Sequence, residues 1–165
     1  MSKSIEQLVM AIEKECEIYE KYFKLAEEKK EIIIQGEVKK LDYITQKEEK
    51  LMVTMRKIDQ IRNTIVGNIL YEIKVESIEN LSELCEYLDK DAKDKIINSK
   101  KRLEDLLLKI KNINELNEKL IKQSLAYIDF NVNVLLSSES AGSTYGQEAN
   151  ENDLNKKSNI FDAKV

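Results

Sequence analysis

The chain contains no proline, and two of its four glycines, Gly142 and Gly146, fall in the closing segment, so only Gly36 and Gly67 punctuate the first 136 residues. Proline in a helix interior costs about 3 kcal/mol and glycine about 1 kcal/mol relative to alanine, because one removes a backbone donor and the other adds backbone freedom to be lost. A chain that omits both over such a length reads as long, uninterrupted helix.

The spacing of apolar residues says how those helices pack. Positions 5, 9, 12, 16, 19, 23, 26 and 33 follow the three-four step of a heptad seam. Ser4 with Gln7 reads as a capping box, so the first helix is predicted over about 4–35. The seam weakens at "IIIQGEV", where Gly36 marks a turn or kink. A second seam runs through Leu41, Ile44, Leu51, Met55, Ile58, Ile65 and Ile69, with Glu48 and Arg62 standing at seam positions, and predicts a helix over about 37–71. In "YEIKVESIENLSELCEYLDKD" β-branched residues and Ser77 break the period before a short helix at about 78–88. The last helix, about 91–137, carries Ile96, Leu103, Leu106, Leu107, Ile110, Ile113, Leu120, Ile121, Leu125, Ile128 and Leu135 on its apolar side.

Helices this long are stabilised by tertiary burial rather than by propensity. Each seam Leu or Ile contributes roughly 1.5–3 kcal/mol when covered. The expected fold is therefore all-α: an elongated antiparallel helical hairpin or coiled-coil-like three-helix bundle over residues 1–137, followed by a flexible partner-binding tail at 138–165. The tail is polar but keeps Tyr145, Leu154, Ile160, Phe161 and Val165. Ordering a residue costs about 1–2 kcal/mol, more in total than these few groups return on their own, so they read as anchors for a partner or for the protein's own groove.

Charge and composition narrow the chemistry. A net charge of −4 with acidic and basic residues interspersed argues against a nucleic-acid partner, which needs an unopposed basic face. No apolar run approaches the ~20 residues of a membrane span. The opening "MSKSIEQLVMAIEKE" meets Glu6 and Glu13 before any signal-peptide core develops, so a cytoplasmic location and no membrane insertion are expected. With no histidine, no CxxC, no glycine-rich phosphate loop and no Glu-x-x-His motif, neither a catalytic site nor a metal or other cofactor is expected. Cys16 and Cys85 occupy apolar positions and read as buried reduced thiols.

The last helix has a second peculiarity. "NINELNEKLIKQSLAYIDFNVNVL" puts Asn114, Asn117, Ser124 and Asn131 on or beside the apolar stripe. Such groups either set helix register within a permanent core or belong to a face that is covered only part of the time by another protein's helix. The second reading makes Asn114, Asn117, Leu120, Ile121, Ser124, Leu125 and Ile128 a candidate partner surface.

Four stretches carry a family resemblance: "IIIQGEVKKLDYITQKEEKL", "MRKIDQIR", "NINELNEKLIKQSLAYI" and the tail "YGQEANENDLNKKSNIFDAKV". Together they resemble the FlgN-type flagellar export chaperones. The resemblance implies a long α-helical hairpin that binds hook-filament junction proteins, prevents their aggregation or premature assembly, and delivers them to the flagellar type III export gate and its ATPase complex. It further implies client binding by the distal helix and tail. Tyr145 matches by position the tyrosine associated with gate docking, while Ile160 and Phe161 are assigned to the client or to a self-bound resting state. A structural coiled-coil adaptor without a client is the alternative, and a homodimer is compatible with helices of this kind.

Overall fold

The structure, a computed structural model, describes residues 3–142. They form α1 (Lys3–Gln35), α2 (Val38–Ile73), the one-turn α3 (Leu81–Leu84), a 3-10 turn at Cys85–Tyr87 and α4 (Lys90–Gly142), with no strand among the described residues. The chain divides into two units, residues 1–125 and 126–165, and the interhelical contacts that follow all belong to the first.

Gly36 is the residue that turns the chain. It stands at φ +70°, where its N–H reaches the Ile33 carbonyl at 3.1 Å and the Glu37 N–H reaches that of Ile32 at 3.2 Å. This paired closure satisfies the last carbonyls of α1, and a side chain at that φ would crowd its own backbone. The next helix starts at once, so α2 returns antiparallel to α1: Ser4 on α1 bonds Glu72 on α2, Glu15 meets Arg62, and Lys29 meets Glu48. At the far end of α2, Lys74 holds the left-handed position at φ 59°, with the Val75 N–H on the Leu70 carbonyl at 3.0 Å.

Ser4 lies inside α1 rather than capping it, and its hydroxyl is spent on Glu72 of the neighbouring helix. The third element starts later than the seam suggests because Asn80 caps it. Asn80 Oδ1 accepts the N–H groups of Ser82 and Glu83 at 2.9 and 3.1 Å, while Glu83 Oε2 accepts the Glu79 N–H at 2.7 Å. Asp89 plays the corresponding part for α4, its Oδ1 accepting the Ala92 N–H at 2.9 Å.

The contacts of α4 with α1 advance in the same direction along both helices. The Cys16 thiol donates to the Ser99 carbonyl at 3.9 Å, Arg102 to Glu20 at 2.5 Å, Asn114 to the Tyr22 hydroxyl at 3.4 Å and Asn117 to the Ala26 carbonyl at 2.8 Å. So α4 runs parallel to α1, and residues 74–89 cross back between the end of α2 and its start. The main core gathers Ile5, Leu8, Ile12 and Cys16 of α1, Ile65 and Ile69 of α2, Leu84 and Cys85 of the connection, and Ala92, Ile96, Leu103 and Leu106 of α4. Both cysteines are free and buried, and burial pushes their thiols up, which keeps them protonated.

Two ion pairs interrupt the α1–α2 seam. Glu15 Oε2 lies 3.3 Å from Arg62 Nη1, and Glu48 Oε2 lies 2.8 Å from Lys29 Nζ. Both carboxylates are buried, and Glu48 Oε1 has no hydrogen-bond partner in the structure. An antiparallel hairpin that slipped by a few residues would leave these carboxylates buried without their cations. The pairs thus resist slippage more than they add net stability.

Candidate partner-binding site on α4

Through the first unit α4 buries one face. Ala92, Ile96, Leu103, Leu106 and Ile110 are buried at three-four spacing, and Asn114 and Asn117 continue the same line. Asn117 is 4% exposed and ties its amide nitrogen to the Ala26 carbonyl, leaving its buried Oδ1 without a partner. Asn114 is half-buried and reaches Tyr22. Both side chains are therefore engaged by α1 in the free chain. A directional amide bond to one backbone carbonyl fixes the axial position of α4 on α1 in a way that a leucine pair does not.

Beyond Asn117 the environment changes. Leu120 and Ile121 are half-buried. Ser124 is exposed and its hydroxyl turns back to the Leu120 carbonyl at 2.9 Å, a local bond that needs no other helix. Leu125 is exposed. Of the ten predicted site residues, then, Asn114 and Asn117 face α1, Leu120 and Ile121 are partly covered, Ser124, Leu125 and Ile128 stand in water, and Tyr145, Ile160 and Phe161 lie outside the described residues.

In the second unit the described part is helical to Gly142. Here Tyr127, Ile128, Phe130, Val132, Val134, Leu135 and Leu136 are all exposed, by 44 to 68%. At about 100° per residue, Ile128, Val132, Leu135 and Leu136 line one side, and Tyr127, Phe130 and Val134 a roughly opposite one. Asp129, Asn131 and Asn133 lie between them. A helix with apolar groups on both sides is of the kind found covered by other protein. Its exposed apolar groups make it a candidate interaction surface. Six of these seven residues, all but Ile128, were not among the predicted site residues. The signal was present in "LAYIDFNVNVLL", whose apolar residues are too dense for a single seam.

Among the described residues no helix is long and apolar enough to cross a membrane, and no group of three metal-ligating side chains lies together. What the fold and this surface define is an all-α helical module that carries an exposed apolar segment.

The comparison with known families specifies the module. The model of the family described as FlgN protein matches residues 1–153, and the chain belongs to that family, the flagellar export chaperones. The family is one of chaperones, not of enzymes. No curated protein and no solved structure matches the chain.

Proposed function

We propose that the protein binds flagellar hook-filament junction proteins in the cytoplasm, keeps them from aggregating or assembling early, and hands them to the export gate. The observation that carries this reading is the run of seven exposed apolar side chains between Tyr127 and Leu136. An export client must travel unassembled, so its own apolar assembly segments need a temporary cover. A solvent-exposed helix with Leu, Ile, Val and Phe on two sides offers such a cover, and the polar residues between the stripes keep it soluble while empty. Ile128, Leu125, Leu120 and Ile121 are assigned to client contact, with Ser124 at the rim. Asn114 and Asn117 act on the client only indirectly, by fixing α4 against α1.

Tyr145 is assigned to docking at the export gate, because a tyrosine presents a large ring and a polar end at small entropic cost and commonly dominates interfaces. Ile160 and Phe161 are assigned to the client or to a self-bound resting state. An adaptor with no client would not need the apolar run. Co-expression with the hook-filament junction proteins followed by size-exclusion chromatography tests the reading: one of them co-elutes with the chain and stays soluble only in its presence. If none of them co-elutes and each is equally soluble alone, the proposed client class is wrong.

A further inference from the structure

A second surface, within the first unit, is independent of the α4 stripe. Between α1 and α2 lies an open groove of about 420 Å³ lined by Lys21, Lys24, Leu25, Lys47, Lys50 and Leu51. Its floor is the two half-buried leucines and the aliphatic stems of the lysines, and its rim is four ammonium groups. Among the described residues none of the four lysines makes an ion pair, although the neighbouring Lys29 and Lys14 do. Lys47 is steadied instead by the Tyr43 ring, with Nζ 4.4 Å from its centroid. Lys21 lies a turn from Glu17, whose carboxyl is held below the usual range first by the bond from Lys14, with Lys21 contributing only through its charge.

In a chain of net charge −4, four lysines, none of them in an ion pair among the described residues, stand around one apolar floor. The groove also lies along the direction of two helices, which suits an elongated occupant.

We propose that this groove docks an acidic amphipathic helix of a partner protein, whose leucine-like residues seat on Leu25 and Leu51 while its carboxylates meet Lys21, Lys24, Lys47 and Lys50. The carboxylates steer the encounter, and the apolar seat keeps the complex together at physiological salt, where exposed charges are screened within roughly 8 Å.

The test uses the full chain and a fluorescein-labelled synthetic amphipathic helix of glutamate and leucine, followed by anisotropy at about 0.15 M salt. Replacing Lys21, Lys24, Lys47 and Lys50 together by Gln weakens saturable binding by about tenfold or more, since rim ion pairs are individually modest and here act together. Gln keeps helix propensity, and circular dichroism checks that the variant is folded. The control variant, Lys39, Lys57, Lys95 and Lys119 all to Gln, has the same net charge and stays within about threefold of wild type. A scrambled peptide of the same composition, without an apolar face, binds about tenfold more weakly than the amphipathic one. Equal weakening in both lysine variants reduces the effect to net charge and overturns the proposal. So does an unchanged affinity in the groove variant. Anionic phosphatidylserine vesicles that bind through the same four lysines, when the peptide does not, place a lipid surface there and also overturn it.

Discussion

Removing the cation from the buried seam pair should be far more damaging than removing the anion. Glu15 is 5% exposed and meets Arg62 across the α1–α2 seam, while Arg62 is partly in water and also holds Asp59 on its own helix. Burial pushes the Glu15 carboxyl up from its ordinary 4.5, the Arg62 charge pulls it back, and Asp59 adds to the rise. Arg62→Met keeps the aliphatic stem and leaves the carboxylate buried without its cation. The carboxyl then escapes by taking up a proton, which at about pH 7 costs roughly 3 kcal/mol at about 1.4 kcal/mol per pH unit above 4.5. That escape caps the loss, so Arg62→Met is expected to cost about 2–3 kcal/mol, or a melting temperature lower by about 5–10 °C. Glu15→Gln, in contrast, leaves Arg62 paired with Asp59 and should cost under about 1 kcal/mol. Combining the two should recover most of the Arg62→Met loss.

The pH dependence has a definite sign. A carboxyl with its folded pKa raised binds its proton more tightly in the folded state than in the unfolded one. Stability therefore falls as pH rises through the window between 4.5 and the raised value. Arg62→Met raises that value further, so its penalty should shrink to under about 1 kcal/mol near pH 5, where protonation is nearly free. Urea denaturation followed at the helical circular-dichroism band, from about pH 5 to 8, checks this. A pH-independent loss that the double variant does not relieve would mean that the loss comes from packing of the new side chain at position 62, and the charge argument would be wrong.

Other outcomes follow from single positions. Gly67 lies inside α2 with open space where a Cβ would stand, so Gly67→Ala should raise stability by about 1 kcal/mol, whereas Gly36→Ala, at φ +70°, should lower it by about 1–2 kcal/mol; urea melts of the two should move in opposite directions. Asn117→Leu removes a buried oxygen without a partner and should leave the melting temperature unchanged or higher. It should also broaden the amide signals of α1 near Ala26 as the axial lock is lost, and sharp, unshifted signals would take Asn117 out of that role. Ending the chain after residue 140 should leave the melt within about 1 kcal/mol of wild type, and Tyr145→Ala should impair export of hook-filament junction proteins with no change in the melt; normal export would remove Tyr145 from the mechanism.

Much of the fold is written in the spacing of apolar residues. The all-α class follows from the missing breakers, and the seam positions Ile5, Ile12, Ile44, Ile65, Ile69, Ile96, Leu103 and Leu106 are all buried. Gly36 was legible as a break because the seam fades around it, although only its positive φ distinguishes a turn from a kink. Glu48 and Arg62 stood out as charges on a seam, but their partners Lys29 and Glu15 are non-local and follow only once the hairpin register is known. The cap at Asn80 does not stand out in the sequence because the nearby β-branched residues obscure where the short helix begins. In α4, the register and partner readings of the asparagines could not be separated by periodicity, since both put an amide on the apolar face. The bond to the Ala26 carbonyl requires knowing that α4 runs parallel to α1. The exposed residues from Tyr127 to Leu136 are obscured for a different reason: a heptad seam occupies one face, and here two faces are apolar.

The segment from Tyr127 to Leu136 is the proposed place where a client is held. The most direct measurement is calorimetric titration of a purified hook-filament junction protein into the full chain and into the Ile128→Glu, Leu135→Glu variant, with circular dichroism of both. Each substitution withdraws about 1.5–3 kcal/mol of apolar burial, and each tenfold in affinity is about 1.4 kcal/mol, so the variant should bind on the order of 100-fold more weakly or not measurably, with helicity unchanged. A variant that binds the client as tightly as the wild type would contradict the account, and one that unfolds would show that Ile128 and Leu135 belong to the core of the protein.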